Sequence, residues 1–271
     1  MKILLVPGSG AGANVWHYQQ QGLPDCEGVA LPGHPDGQAL ESIPAYVEWL
    51  HGYIRQKGQG QVILGGHSLG GGIALMYALS YPQDLRGLVL IGTGARLRVR
   101  PDILESVRGM IGDPEAWRRY IGPPEAGSTK PQTPNTSPPE AGSAKPQTPN
   151  TNSPLPHPDA VLQEIRDMRL RIGPAVLLSD FLCCDRFDVM TRLGEIKLPT
   201  LIMVGTEDVM TPPKYAQFLA DRIAGAKLVI VPGATHSIAT EKPEEVNGEI
   251  GRWGVGVINR WRVTTSEGGA P

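Results

Sequence analysis

This chain has few cysteines, almost no net charge and no long apolar run, and each shortage excludes a class of protein. Three cysteines, Cys26, Cys183 and Cys184, make no disulfide framework and show no Cys-x-x-Cys spacing. Their expected state is the reduced thiol, with the adjacent pair buried on a helix. A net charge of -2 over 271 residues supplies neither a basic face for nucleic acid nor an attraction to a membrane surface. The N-terminal apolar run Ile3-Leu4-Leu5-Val6 is stopped by Pro7-Gly8, too short for a signal-peptide core or a membrane span. A cytoplasmic location follows as the expectation. No two histidines have the spacing of metal ligands. The glycine loop Gly8-x-Gly10-x-Gly12 is neither Gly-x-Gly-x-x-Gly nor followed by Gly-Lys-Ser/Thr. Neither a metal nor a cofactor is expected.

What is present is an alternation. Hydrophobic residues make up 40% of the chain, enough for one α/β domain with a sizeable core. Strands are expected at Lys2 to Val6, Gly28 to Leu31, the run into Gly65, Gly87 to Ile91, Thr200 to Val204 and Lys227 to Val231. Helices are expected from Asn14 to Gln21, Ile43 to Arg55, Ile73 to Leu79, Pro213 to Ile223 and Pro243 to Trp261. Strand followed by helix implies a parallel sheet with helices on both faces. The rhythm breaks after residue 95. Helical patterns at Ile103 to Tyr120, Pro158 to Leu170 and Ala175 to Leu193 form an insertion that would lie over the carboxyl ends of the strands as a cap. Inside it, PPEAGSTKPQTPNTS at 123 to 137 recurs at 138 to 152, differing only at Thr129/Ala144 and Ser137/Asn152. Pro123 to Pro154 contains no aromatic residue and no Val, Ile, Leu or Met, so it is expected to be disordered. A protein partner for this proline-rich loop is a minor reading, because no clean Pro-x-x-Pro with arginine is present.

The chemistry gathers at three strand ends. The run Val62-Ile63-Leu64 reaches Gly66-His67-Ser68-Leu69-Gly70, and a helix leaves it. Strand, sharp turn and helix make this pentad a nucleophile elbow, with small residues two before and two after the serine where strand and helix cross. Past Val204 comes Gly205-Thr206-Glu207-Asp208, and past Val231 comes Pro232-Gly233-Ala234-Thr235-His236. A serine hydroxyl needs a base to take its proton, an imidazole is poised for that near neutral pH, and a carboxylate can hold its tautomer. Ser68, Asp208 and His236 are the candidates, with Glu207 as the alternative acid. The glycine loop after the first strand is a place to hold an oxyanion.

Together, Gly66 to Gly71, Leu31-Pro32-Gly33-His34, Gly205 to Asp208 and His236 with Glu241-Lys242-Pro243-Glu244 resemble the α/β-hydrolase fold superfamily, over nearly all of the chain outside the repeat. The resemblance implies an oxyanion hole made by the backbone N–H of Leu69 and a second one from the first loop, with Ser9 aligned to that role and Gly10 the alternative. Pro7 stands where the family usually has histidine. The usual first hairpin is absent, so a sheet of about six strands is expected. The expected organisation is a hydrolase core at 1–95 and 199–263, a helical cap at 96–198 carrying the repeat at 123–154, and a flexible tail at 264–271. The expected function is hydrolysis of a small-molecule carboxylic ester through an acyl-enzyme. Carbon–carbon bond hydrolases, a related lyase and cofactor-free perhydrolases share the triad, and a binding protein with little turnover is the rival of another class. His34 and His67 are read as local structure around the site, and His17, His51 and His157 as uninvolved. Cap arginines facing the pocket would favour an acidic substrate. Met110, Met168, Phe181, Leu182 and Phe187 are candidate lining for an apolar acyl pocket.

Overall fold

In the computed structural model, residues 2–58, 60–122 and 159–266 are described. The duplicated segment, His157 and residues 267–271 of the tail lie outside them. Six strands form one sheet: β1 (Ile3–Val6), β2 (Cys26–Gly28), β3 (Val62–His67), β4 (Leu85–Ile91), β5 (Thr200–Gly205) and β6 (Lys227–Val231). Their spatial order is β2-β1-β3-β4-β5-β6, and every neighbouring pair is parallel. Strands covered on both faces read as continuous apolar runs rather than alternating ones. β1, β4 and β5 do so, while the edge strand β6 is half-exposed. The chain steps outward from β1 to β2 and then returns to the other side of β1 at β3. That reversal opens a crevice at the carboxyl ends of β1 and β3, where open α/β sheets place their sites.

Helices α2 (Ile43–Gln56), α3 (Leu69–Ser80) and α7 (Pro213–Arg222) cover one face. On the other lie Trp16, from the 3₁₀ turn before α1 (His17–Gly22), with Leu23 after α1, α8 (Ile238–Glu241) and α9 (Pro243–Ser266). α2 starts where Ser42 accepts a hydrogen bond from the Ala45 N–H at 3.2 Å, with proline in its first turn, and it buries Ile43, Val47, Leu50 and Ile54. α3 is apolar all round because it is enclosed on all sides.

Between β4 and β5 the chain forms α4 (Pro101–Gly109), α5 (Pro114–Ile121) and α6 (Asp159–Arg186). They share a separate apolar cluster built on Ile103, Val107, Trp117, Ile121, Leu177 and Phe181. Several expected bounds are corrected. The single helix expected at 103 to 120 is two, because Gly112 takes φ 86° and the Asp113 carboxylate caps the second by accepting from the Glu115 and Ala116 N–H groups. The two helices expected at 158 to 193 join at Gly173 (φ 83°, ψ 168°), ahead of Pro174, and end at Arg186. Leu193 falls in a 3₁₀ turn. The second strand lies two residues earlier than expected, since Ile3 pairs with Cys26 and Leu5 with Gly28. Val29 and Leu31 are buried as core side chains beyond its end.

The crossing of β3 and α3 tolerates no side chain at its glycines. A Cβ on Gly70 would sit 2.2 Å from the Val6 carbonyl oxygen, whereas one on Gly256 in α9 would meet nothing within 4 Å. Gly70→Ala is expected to lower stability by more than about 2 kcal/mol, and Gly256→Ala to raise it by about 0.5–1 kcal/mol through helix propensity. Urea denaturation midpoints of the two variants check both signs.

Candidate active site

Ser68 sits between the end of β3 and the start of α3 with φ 53° and ψ −116°. Asp25 is the only other non-glycine residue with positive φ among those described. Such a backbone persists only where its surroundings impose it. Here the Ser68 N–H donates to the Ile91 carbonyl at 3.1 Å, and the Thr93 hydroxyl donates to the Ser68 carbonyl at 2.8 Å. A Cβ on Gly66 would lie 2.1 Å from the Gly70 carbonyl oxygen, which explains the small residues flanking the serine. The Leu69 N–H opens α3, so it belongs to the first turn, whose donors have no partner within the helix.

Asp208 lies in the loop after β5 and is 2% exposed. Its Oδ1 accepts from the Met210 and Thr211 N–H groups at 2.9 and 2.8 Å. Its Oδ2 accepts from the Thr211 hydroxyl at 2.8 Å and faces His236 Nδ1 at 2.8 Å. Glu207 is exposed. Burial alone would raise the Asp208 pKa, but the hydrogen bond and charge of His236, with the Thr211 donors, hold it below the ordinary carboxylate range. Because a carboxylate only accepts, Nδ1 of His236 carries the proton and Nε2 is left as the basic atom. The Ser68 hydroxyl is not hydrogen-bonded to His236 among the described contacts. Such bonds commonly close only when substrate arrives.

His67 packs its ring 4.5 Å from that of His236, and its Nε2 donates to the His236 carbonyl at 2.8 Å. Burial, followed by the neighbouring His236, holds its pKa below the ordinary imidazole value. It is a neutral prop for the loop that carries His236. His51 is taken up by Asp84 at 2.9 Å and by stacking on Tyr81, and His17 packs edge-on to Tyr18.

A Cβ on Gly8 would lie 3.3 Å from the Ser68 Cβ, so the first loop lies directly against the elbow. Of the two N–H groups left open as the second oxyanion donor, that of Gly10 is already given to Asp180 Oδ2 at 2.8 Å. Ser9 and Ser68 line one cavity together with Leu97, Val99, Ile103 and Phe181. Arg98 also borders it, but its guanidinium donates to the Asp185 carbonyl at 2.5 Å. Of the other candidate lining residues, Phe187 is part of the main core, Met110 and Leu182 pack against the cluster of α4 to α6, and Met168 lies over Gly12. Cys183 and Cys184 are buried thiols on α6, and burial pushes the Cys183 pKa up to about 12. Thr211 and Asp180 escaped the sequence reading. The signal for Thr211 is its place three residues after Asp208, and for Asp180 it is one acid within the apolar run Val176 to Cys184. Among the described residues no three His, Cys, Asp or Glu side chains converge as for a metal, and no helix is long and apolar enough to cross a membrane.

A family model described as the alpha/beta hydrolase family matches residues 3–249. The chain belongs to that family. As an alpha/beta hydrolase it is 26% identical over 245 residues to pimeloyl-[acyl-carrier protein] methyl ester esterase of Neisseria meningitidis serogroup A, covering 87% of this chain and 71% of the relative. It is 28% identical over 241 residues to proline iminopeptidase of Saccharolobus solfataricus, covering 88% and 74%. The solved structure of a thermophilic esterase matches with TM-score 0.70 and 29% identity over 94% of this chain and 90% of that one. The chain is an esterase-like member of the alpha/beta hydrolase superfamily.

In this alpha/beta hydrolase the lowered pKa of His67 fixes the sign of one pH effect. The unfolded chain binds a proton at this residue near pH 6.5, before the folded state does. The stability that depends on neutral His67 is therefore present above pH 6.5 and lost as pH falls below it. Melting temperatures measured from pH 8 to 4 should show a shallower acid decline in His67→Gln than in the wild type.

Proposed function

We propose that this chain is a serine hydrolase that cleaves small carboxylic esters through a Ser68–His236–Asp208 triad. The observation that carries the reading is the 2.8 Å contact between His236 Nδ1 and Asp208 Oδ2, beside a cavity that Ser68 borders from a strained elbow. Catalysis starts when His236 Nε2 takes the hydroxyl proton and Ser68 Oγ bonds to the ester carbonyl carbon. The carbonyl oxygen becomes an oxyanion held by the N–H groups of Leu69 and Ser9. Collapse breaks the bond to the alkoxide, which receives the proton from His236 and leaves as alcohol. Water then attacks the acyl-enzyme, with His236 taking its proton, and the acid departs. Asp208 stays ionised throughout and stabilises the imidazolium.

Helices at 101–121 and 159–186 act as a cap over this centre, within a chain divided into core at 1–95 and 199–263, cap at 96–198 and a tail at 264–271 whose first three residues are the last of α9. The cavity between cap and core is small, about 50 Å³, well below the usual range for ligand sites. Its apolar lining suits a short acyl group. The pimeloyl esterase relative acts on an ester borne by a carrier protein and the iminopeptidase relative on a proline-containing bond, so both are substrate classes to test beside simple esters.

Ser68→Ala should abolish fluorophosphonate labelling and lower kcat by at least about 10³-fold, and Asp208→Asn should lower it by about 10⁴-fold. Hydrolysis by the wild type should decline on the acid side of the profile, because the mechanism requires a neutral imidazole as base. The assay pairs intact-mass labelling with p-nitrophenyl esters of increasing length, a carrier-linked methyl ester and a proline anilide. Turnover by Ser68→Ala would sink the reading.

A further inference from the structure

A second buried carboxylate, which the triad does not use, holds the loop that carries Ser9. Asp180 lies on α6 and is 0% exposed. Its Oδ2 accepts from the Gly10 N–H at 2.8 Å and faces His34 Nε2 at 2.8 Å. Its Oδ1 accepts from the Tyr46 hydroxyl at 3.3 Å. Gly10 belongs to the loop after β1, His34 to the loop after β2 and Tyr46 to α2. One carboxylate therefore joins three core segments to the cap.

The protons can be counted. His34 Nδ1 lies 3.0 Å from the Pro32 carbonyl oxygen, which only accepts, and Nε2 faces the carboxylate. Both ring nitrogens need a hydrogen, so the pair is an imidazolium beside an ionised Asp180. Burial opposes charge on His34, but the hydrogen bond and charge of Asp180, with the Pro32 carbonyl, keep its pKa above the ordinary value. The other titratable groups facing the pair are Tyr46 from α2 and Cys183 and Cys184 from α6. Burial raises all three, so they stay neutral and the pair has no competing charge.

Gly10 itself is locked. It takes φ 60°, and a Cβ there would lie 3.0 Å from Leu177 Cδ1. Ser9 is also seated against the same helix, its hydroxyl 3.7 Å from Cys184 Sγ. We propose that Asp180, with His34 as its counter-charge, is the positioning residue of the oxyanion hole: by taking the Gly10 N–H it fixes the loop in the turn that offers the Ser9 N–H to the oxyanion on Ser68. The proposal rests on the triad reading above and adds to it the residue that sets the second donor.

A donor that serves only the transition state affects kcat and spares KM. Losing a donor costs about 10²–10³-fold, and misplacing one costs part of that. Asp180→Asn should therefore lower kcat by about 10–100-fold, leave KM within about threefold, and weaken a boronic acid inhibitor, which mimics the tetrahedral oxyanion, in parallel with kcat. Tyr46→Phe, which removes the longest contact and keeps the Gly10 bond, should stay within about threefold of wild type. His34→Gln leaves the carboxylate buried without a counter-charge and should lower kcat by about 10-fold with KM within about threefold. An unchanged kcat in a folded Asp180→Asn overturns the proposal. If that variant does not fold, an unchanged kcat in His34→Gln overturns it instead. Ser68→Ala, assayed in parallel, separates the two failures: turnover there sinks the triad reading, while a dead Ser68→Ala beside an active Asp180→Asn sinks only this proposal.

Discussion

The structure depends on one close crossing, where β3 turns into α3 through Ser68. Strand and helix approach so tightly that a Cβ on Gly66 would lie 2.1 Å from the Gly70 carbonyl oxygen, and one on Gly70 would lie 2.2 Å from that of Val6. The serine between them is held at positive φ, a strained conformation that the flanking sheet must impose. β1 supplies the wall against Gly70, β4 receives the Ser68 N–H, and Thr93 beyond β4 binds its carbonyl. The central strands thus fix the backbone of the proposed nucleophile, while the side chains around it come from elsewhere.

Two aspartate–histidine pairs flank that crossing with opposite designs. Asp208 and His236 sit in loops, with the imidazole 15% exposed, so that one ring nitrogen is held while the other is free to exchange a proton. Asp180 and His34 are enclosed, with both ring nitrogens committed to acceptors. A buried ion pair of that kind contributes less to stability than to holding a single geometry, and what it holds is the loop opposite Ser68. The pairs use the same chemistry, and their exposure separates the imidazole proposed to move protons from the one proposed to fix a backbone.

The helical layer shows where local sequence is a poor guide. Its periodicity predicted helices correctly in kind, but the break at Gly112-Asp113-Pro114 and the kink at Gly173-Pro174 shifted their ends. Turn residues set those ends, and a helical period of apolar residues can run across them unnoticed. The second strand was misplaced for a related reason. Val29 and Leu31 are apolar because the core buries them, not because they pair in the sheet.

Local chemistry written in the chain determined the elbow, the order serine, aspartate, histidine, and the alternation of strand and helix. Each depends on residues adjacent or periodic along the chain: glycines where backbones cross, apolar runs where both faces are covered, a carboxylate or an imidazole just past a strand end. Tertiary structure alone decided which acid meets His236, which of the first loop's N–H groups is already engaged, and that Asp180, about 170 residues from Gly10 in sequence, holds that loop. Those pairings join segments far apart in the chain, and no periodicity records them. A lone acid in an apolar helix signals that a partner exists, because burying its charge without one is costly. Which partner it finds is settled only when the sheet and the helices α4 to α6 pack together.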